Sequence, residues 1–139
     1  MSLVLDASLA LSWYFEDERT PSADALLNSI ADDGAVVPAH WRLEIANGFQ
    51  TAIRRKRIDA NFRDRAIAQL DCLVIVVDLE TDRYAWTSTL RLADRFGLTP
   101  YDAAYLELAA RQMLPLATLD KALSAAASAL GVAIAAKGL

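Results

Sequence analysis

The chain opens on Leu3-Val4-Leu5-Asp6, three apolar residues followed at once by a carboxylate. A similar pattern lies near the other end, where the apolar run 114–117 leads into Thr118-Leu119-Asp120. Short apolar runs of this kind are typical of buried strands in a parallel sheet. Asp6 and Asp120 would then lie just beyond the carboxyl ends of two strands, where open α/β sheets bind their ligands.

Between these two runs the chain alternates between strand and helix patterns. Further strands are predicted at Ala35–Val37, at the valine-rich run 74–77 and at 132–135, which gives about five in all. Helices are predicted at 7–15, 20–31, 40–55, 60–70, 81–96, 101–113 and 120–130. This order predicts an α/β fold with three layers, α/β/α, around a central, mostly parallel sheet.

The composition indicates one compact domain that spans residues 1–139. Of the 139 residues 55% are hydrophobic, enough for a sizeable core. The helix pair predicted within 40–70 is too long for a simple crossover, so we interpret it as a helical-hairpin insertion that contacts a partner or substrate. No repeat and no linker divides the chain.

Several classes of protein are disfavoured by the residue counts. A single cysteine, Cys72, and a single histidine, His40, supply neither a disulfide nor a typical zinc site. We expect no signal peptide, because Asp6 interrupts the first apolar run, and no membrane span, because the uncharged stretch 122–136 is short. These features predict a cytoplasmic protein.

The charge distribution is mixed. A net charge of −4 argues against coating nucleic acid through bulk charge. The run Arg54-Arg55-Lys56-Arg57 is nevertheless a local basic cluster, and with Arg42 it supplies candidate contacts to phosphate groups. The alternative is a solvated helix end, where cations favour the negative end of the helix dipole.

Four carboxylates are the main candidates for a functional site: Asp6, Glu44, Asp102 and Asp120. Taken singly, each Asp has a plain explanation as a helix cap or first-turn acid, whereas Glu44 lies inside a predicted helix where no cap is needed. Two carboxylates ~4 Å apart repel by about 4 kcal/mol at a surface-like dielectric, so a converging set needs a cation. Mg²⁺, or Mn²⁺ in its place, is the expected ion because both prefer oxygen ligands.

Four short motifs together resemble one known family: Asp6-Ala7-Ser8, Glu44 with Asn47, the run 102–106 (Asp-Ala-Ala-Tyr-Leu) and Thr118-Leu119-Asp120. In order and spacing they are similar to the PIN domain, and within it to the VapC toxins of bacterial toxin–antitoxin pairs. The resemblance covers essentially the whole chain.

The resemblance implies a Mg²⁺-dependent endoribonuclease, usually a homodimer, that a VapB-type antitoxin holds inactive. By the same resemblance Asp6 and Asp102 are the principal metal ligands, and Glu44 and Asp120 complete the acidic cluster, partly through water. The matching residues Ser8, Asn47 and Thr118 are polar support. Single-stranded RNA is the expected substrate, hydrolysed by a metal-activated water.

Two alternatives remain open at this point. Asp78, Thr118 and Asp6 each end a predicted strand, a layout similar to phosphoacceptor receiver domains, although those carry an acidic pair after the first strand and here Ala7 follows Asp6. The other alternative is a catalytically silent PIN-like interaction module.

Overall fold

A computed structural model describes residues 2–135; the predicted domain 1–139 extends past these limits, so Met1 and residues 136–139 lie outside the described residues. The strands are β1 Val4–Leu5, β2 Ala35–Val37, β3 Ile75–Val77 and β4 Leu116–Ala117. They form one parallel sheet in the order β3-β2-β1-β4. The order reverses at β1, which places a topological switch point between the carboxyl ends of β1 and β4.

Helices flank this sheet in an α/β three-layer arrangement, as predicted. The described residues contain eight α-helices and one short 3₁₀ helix, Glu16–Glu18. The α-helices are α1 Ala7–Ser12, α2 Pro21–Asp33, α3 Trp41–Arg54, α4 Ala60–Asp71, α5 Thr81–Tyr84, α6 Ser88–Phe96, α7 Pro100–Gln112 and α8 Lys121–Leu130. The predicted insertion between β2 and β3 is formed by α3 and α4.

The strand predicted at 132–135 is reduced to one parallel bridge between Leu116 and Ile134. Leu116 donates its N–H to the carbonyl of Ala133 and accepts from the N–H of Ala135, both at 2.9 Å. Because β4 is only two residues long, it offers little length for a further strand to pair with. The described sheet therefore has four strands where about five were predicted.

Two predicted helices are shorter than expected. The helix predicted at 7–15 ends at Ser12, and Phe15 is already extended. Between them Trp13 donates its indole N–H to the carbonyl of Ala23 at 2.8 Å. The helix predicted at 81–96 is broken at Thr87, which leaves helical geometry. The segments on either side share no buried face, since α5 buries no residue while α6 buries Thr89 and Ala93.

The helices that carry the candidate acids are anchored in the core. Phe49 of α3, Tyr105 of α7 and Leu5 of β1 are almost fully buried in one apolar cluster. Gly48 allows α3 to pack closely on α1, since a Cβ atom at this position would collide with the side chain of Leu11. Rigid packing of this kind fixes the positions of side chains at the edge of the sheet.

Across residues 2–135, no helix has both the length and the apolar character that crossing a bilayer would require.

Candidate active site

Asp6 follows β1 at the switch point and is 4% exposed. Its backbone N–H donates to the carbonyl of Ala117 at 2.9 Å, which extends the pairing of β1 with β4 up to the acid. The hydroxyls of Thr118 and Ser8 donate to the same oxygen, Oδ2, at 2.6 and 2.7 Å. Two donors on Oδ2 fix the carboxylate and leave Oδ1 for another ligand.

Glu44 lies in the first turn of α3, where its side chain meets α7. The hydroxyl of Tyr105 donates to Glu44 Oε1 at 2.7 Å, and His40 Nε2 lies 3.0 Å from the same oxygen. Within the described residues Asn47 makes no hydrogen bond to Glu44 and is exposed, so its predicted orienting role has no contact to support it. The contacts to the Glu44 carboxylate come from Tyr105 and His40 instead.

Asp102 and Asp120 lie at the starts of two other helices. Asp102 is in the first turn of α7, whose N-cap is Thr99, and Asp120 caps α8 by accepting from the backbone N–H of Leu123 at 2.9 Å. The capping explanation therefore holds for Asp120. It does not exclude a second role, because the capping bond occupies only Oδ1.

The four acids interact electrostatically. Burial raises the pKa of Asp6 to about 6, and repulsion from Glu44 and Asp102 adds to the rise. The hydrogen bonds from Thr118 and Ser8 act in the opposite direction and lower the pKa, but by less. Burial also raises the pKa of Asp102, with repulsion from Asp120 and Glu44. The four predicted acids thus lie near enough to repel one another, and a bound cation would relieve this repulsion.

The donor set suits a hard divalent ion, since all four acids offer oxygen. Among residues 2–135, no three carboxylate, histidine or cysteine side chains are grouped so that they could hold a metal ion as they stand. Mg²⁺ does not require such a group, because it keeps several waters and often binds through one or two carboxylates. The residues present fit Mg²⁺ held by few direct ligands.

A groove of about 350 Å³ lies beside one of the four acids, Asp120. Ser8 and Asp120 line one part of it, Phe15 lies in its wall, and Arg55 and Arg57 line another part. It joins the acidic edge of the sheet to the basic cluster at the end of α3.

The five predicted basic contacts are distributed unequally around this groove. Arg57 is paired with Asp17 at 2.7 Å and stacks over Phe15 at 4.6 Å. Arg42 lines a different cleft between α3 and α4. Neither Arg54 nor Lys56 lines the groove beside the acids. In the part of the chain described, Arg55 is the groove cation that makes no ion pair.

Asp78 does not present itself as a phosphoacceptor, which corrects the receiver alternative. Its side chain is buried and pairs with Arg111 at 2.6 Å, and the hydroxyl of Thr81 donates to it at 3.0 Å. Burial alone would raise the pKa of Asp78, but Arg111 and Thr81 hold it below the usual value. Arg111 also binds Glu107 of its own helix, so the cluster ties α7 to the end of β3.

Two polar residues of the site had no role in the sequence prediction. His40 precedes Glu44 by four residues, a spacing that places side chains on one helix face and could have indicated the contact. Tyr105 follows Asp102 by three residues and so lies on the same side of α7. No local pattern indicates that its hydroxyl reaches Glu44, which is 61 residues away in sequence.

Comparison with known proteins gives one family and one fold. The model of the family described as PIN domain matches residues 3–129. No curated protein matches the sequence.

Three solved structures illustrate the fold similarity. PAE2754 from Pyrobaculum aerophilum is 24% identical with a TM-score of 0.67, covering 91% of this chain and 87% of that one. FitAcB from Neisseria gonorrhoeae is 17% identical with a TM-score of 0.64 and 96% of both chains covered. A toxin-antitoxin complex from Klebsiella pneumoniae is 15% identical with a TM-score of 0.57, covering 85% and 86%. At these identities the likeness concerns the fold alone.

Proposed function

The chain belongs to the PIN domain family, whose members are generally nucleases, and on that premise we propose that it is a Mg²⁺-dependent endoribonuclease and the toxin of a VapBC-type toxin–antitoxin pair. One observation carries the proposal. Asp6 is buried at the carboxyl end of β1, fixed through one oxygen by Ser8 and Thr118, and coupled electrostatically to Glu44 and Asp102. A carboxylate buried in that position is costly to ionise unless a cation neutralises its charge. Without a cation, the acid tends to keep its proton.

Asp6 and Asp102 would hold the metal ion, with Glu44 and Asp120 contributing through water. When bound, the ion would make a coordinated water easier to deprotonate and would neutralise charge on the phosphodiester.

The protein groups around this position have separate tasks. Ser8 and Thr118 keep Asp6 Oδ2 occupied, which would leave Oδ1 to bind the ion. Glu44 has its Oε1 bound by Tyr105 and His40, which leaves Oε2 to accept a proton from the attacking water or to orient it. Asp120 uses Oδ1 for the helix cap, and its Oδ2 remains available to orient or deprotonate the attacking water.

The function is tested by expressing the chain alone and sequencing the 5′ ends of cellular RNA, with Asp6→Ala as the inactive control. New 5′ ends that appear with the wild type and disappear with the variant support an endoribonuclease. Equal RNA profiles for the two chains would favour the catalytically silent PIN module instead.

Arg55 is the residue we expect to guide the RNA backbone toward the acids. It shares a groove with Asp120 and, among the described residues, makes no ion pair, whereas Arg57 is held by Asp17. Arg55→Gln should raise KM for RNA several-fold at ~0.15 M salt, leave kcat nearly unchanged and lower the salt slope of binding by about 1.

The matched control is Arg54→Gln, which removes the same charge from a residue that does not line the groove. Steady-state kinetics and binding titrations over a salt series measure both variants. Equal changes in KM and in the salt slope for the two variants would contradict a specific role of Arg55. The basic cluster would then act only through its overall charge.

An antitoxin partner is part of the proposal, supported by the similarity of fold to the Klebsiella toxin-antitoxin complex. We propose that an amphipathic segment of this partner lies across the α3–α4 insertion and directs a basic side chain into the acids. A small apolar cleft of about 120 Å³ between these helices, lined by Trp41, Ile45 and Leu70 among others, offers an anchor point. If the basic side chain directed into the acids is an arginine, it would pair bidentately with one of their carboxylates.

Neutralising Glu44 or Asp120 should therefore weaken the complex, and rising salt should weaken it in the wild type. Glu44→Gln and Asp120→Asn are compared by calorimetry on the copurified pair with Asp94→Asn, which removes an exposed charge on α6. Unchanged affinity in both site variants would exclude a partner side chain in the acidic cluster.

A homodimer is also proposed. Leu43, Leu79 and Trp86 are 75%, 93% and 88% exposed, and large apolar side chains left in water are candidates for an interface between two copies of the chain. Light scattering at micromolar concentration measures the state directly, and a monomeric mass would contradict the dimer.

A further inference from the structure

His40 stands between two of the helices that carry the acids. Its Nε2 atom lies 3.0 Å from Glu44 Oε1 on α3 and 3.1 Å from the backbone carbonyl oxygen of Tyr101 on α7. Both neighbours are hydrogen-bond acceptors, so Nε2 must carry a proton to satisfy them. Tyr101 is the residue immediately before Asp102. The imidazole therefore links Glu44 to the backbone beside a second acid.

The ring of His40 is held in this position by two aromatic neighbours. Its centroid lies 5.4 Å from the ring of Tyr105 in an edge-to-face arrangement and 5.8 Å from the ring of Tyr101. Tyr105 is fully buried, and its hydroxyl donates to the same Glu44 oxygen. Glu44 Oε1 is thus bound from the core by Tyr105 and from the outer side by His40.

We propose that His40 is a positioning residue that fixes Glu44 relative to Asp102, an inference that rests on the proposed function. Glu44 and Asp102 repel each other, and nothing in α3 alone holds the Glu44 side chain toward α7. Tyr105 gives Glu44 one tether. A second donor on the same oxygen stops the carboxylate from turning about that tether, and so Oε1 stays occupied while Oε2 stays available to the site.

The role follows from hydrogen bonding rather than from packing, and two substitutions separate these contributions. His40→Gln keeps an N–H donor at about the reach of Nε2 and loses the ring. His40→Phe keeps the ring against Tyr105 and Tyr101 and loses the donor.

We expect His40→Phe to lower kcat and Mn²⁺ affinity by ~10–100-fold, the usual effect of losing a residue that orients a metal-site carboxylate. KM for RNA should be almost unchanged, because His40 need not touch the substrate. His40→Gln should restore kcat and Mn²⁺ affinity to within about threefold of the wild type. Calorimetry with MnCl₂ measures affinity without RNA, and thermal unfolding checks that both variants are folded.

Wild-type kcat and Mn²⁺ affinity in His40→Phe would overturn the proposal. So would a loss in His40→Gln as large as that in His40→Phe, since the amide donor would then have failed to replace the imidazole N–H. If His40→Phe fails to fold, His40→Ala replaces it as the variant without a donor: it should lose ~10–100-fold in Mn²⁺ affinity while His40→Gln should not. Equal Mn²⁺ affinities of His40→Ala and His40→Gln would then overturn the proposal. A wild-type chain that binds Mn²⁺ but cleaves no RNA would refute the proposed function, while the Mn²⁺ comparison would still decide the role of His40.

Discussion

Asp6→Asn is expected to lower RNA cleavage to below about one-thousandth of the wild-type rate while the fold is kept. A ligand that helps to ionise the attacking water contributes several kcal/mol to the transition state, and each ~1.4 kcal/mol is a factor of ten. Asparagine can place its carbonyl oxygen where Oδ2 lies and still accept from Ser8 and Thr118. The loss would therefore be chemical rather than structural.

The same substitution should stabilise the metal-free protein, and the effect should depend on pH. Burial raises the pKa of Asp6 from 3.8 to about 6. An acid with a raised pKa in the fold stabilises the folded state while it is protonated, so this contribution is complete below pH 3.8 and is lost as pH rises through about 6. At about 1.4 kcal/mol per pKa unit, it is on the order of 3 kcal/mol.

Asp6→Asn should accordingly be more stable than the wild type by ~1–3 kcal/mol at neutral pH, where the native carboxylate is ionised, and by little near pH 4. Denaturant unfolding in EDTA at both pH values measures this difference. Asp94→Asn, an exposed change on α6, should alter neither stability nor cleavage. Wild-type-like cleavage by Asp6→Asn would refute the metal site as described.

Residue order and local pattern predicted much of the fold and the positions of the four acids. Parallel strands end at one edge of a sheet, so an acid placed directly after an apolar run is located by topology alone. That reasoning worked for Asp6 and Asp120. Glu44 and Asp102 were assigned from their motifs, and the helices that carry them formed near the predicted limits.

The details that failed depend on tertiary contacts. The break at Thr87 separates α5, which buries no residue, from α6, which buries two, and just past the end of α1 the Trp13 indole bonds to Ala23 of another helix. Asn47 had the right spacing to orient Glu44, but its side chain is exposed to solvent. The hydrogen bond to the Glu44 carboxylate comes instead from Tyr105 on another helix. Helix periodicity cannot reveal a contact made across 61 residues of chain.

Removal of divalent metal is expected to abolish cleavage completely, and Mg²⁺ or Mn²⁺ should restore it. The acids repel one another when ionised, and the chain offers only one histidine, so a metal-free mechanism with two histidines has no residues to use. Protein dialysed against EDTA should be folded and inactive. Excess MgCl₂ or MnCl₂ should return the activity, whereas the same addition to Asp6→Asn should not.

Binding of the ion should also appear in stability and in its dependence on pH. A ligand at 100 times its Kd stabilises the native state by about 2.7 kcal/mol, so Mn²⁺ should raise Tm of the wild type by several degrees and leave Asp6→Asn almost unchanged. The carboxylates must be ionised to bind metal, and the pKa of Asp6 is about 6. Mn²⁺ affinity should therefore fall by up to about tenfold for each pH unit below 6. Calorimetry between pH 5 and 7.5 measures this slope. Cleavage that survives rigorous chelation, or an affinity that is flat across this range, would show that Asp6 does not bind the metal on which the proposed reaction depends.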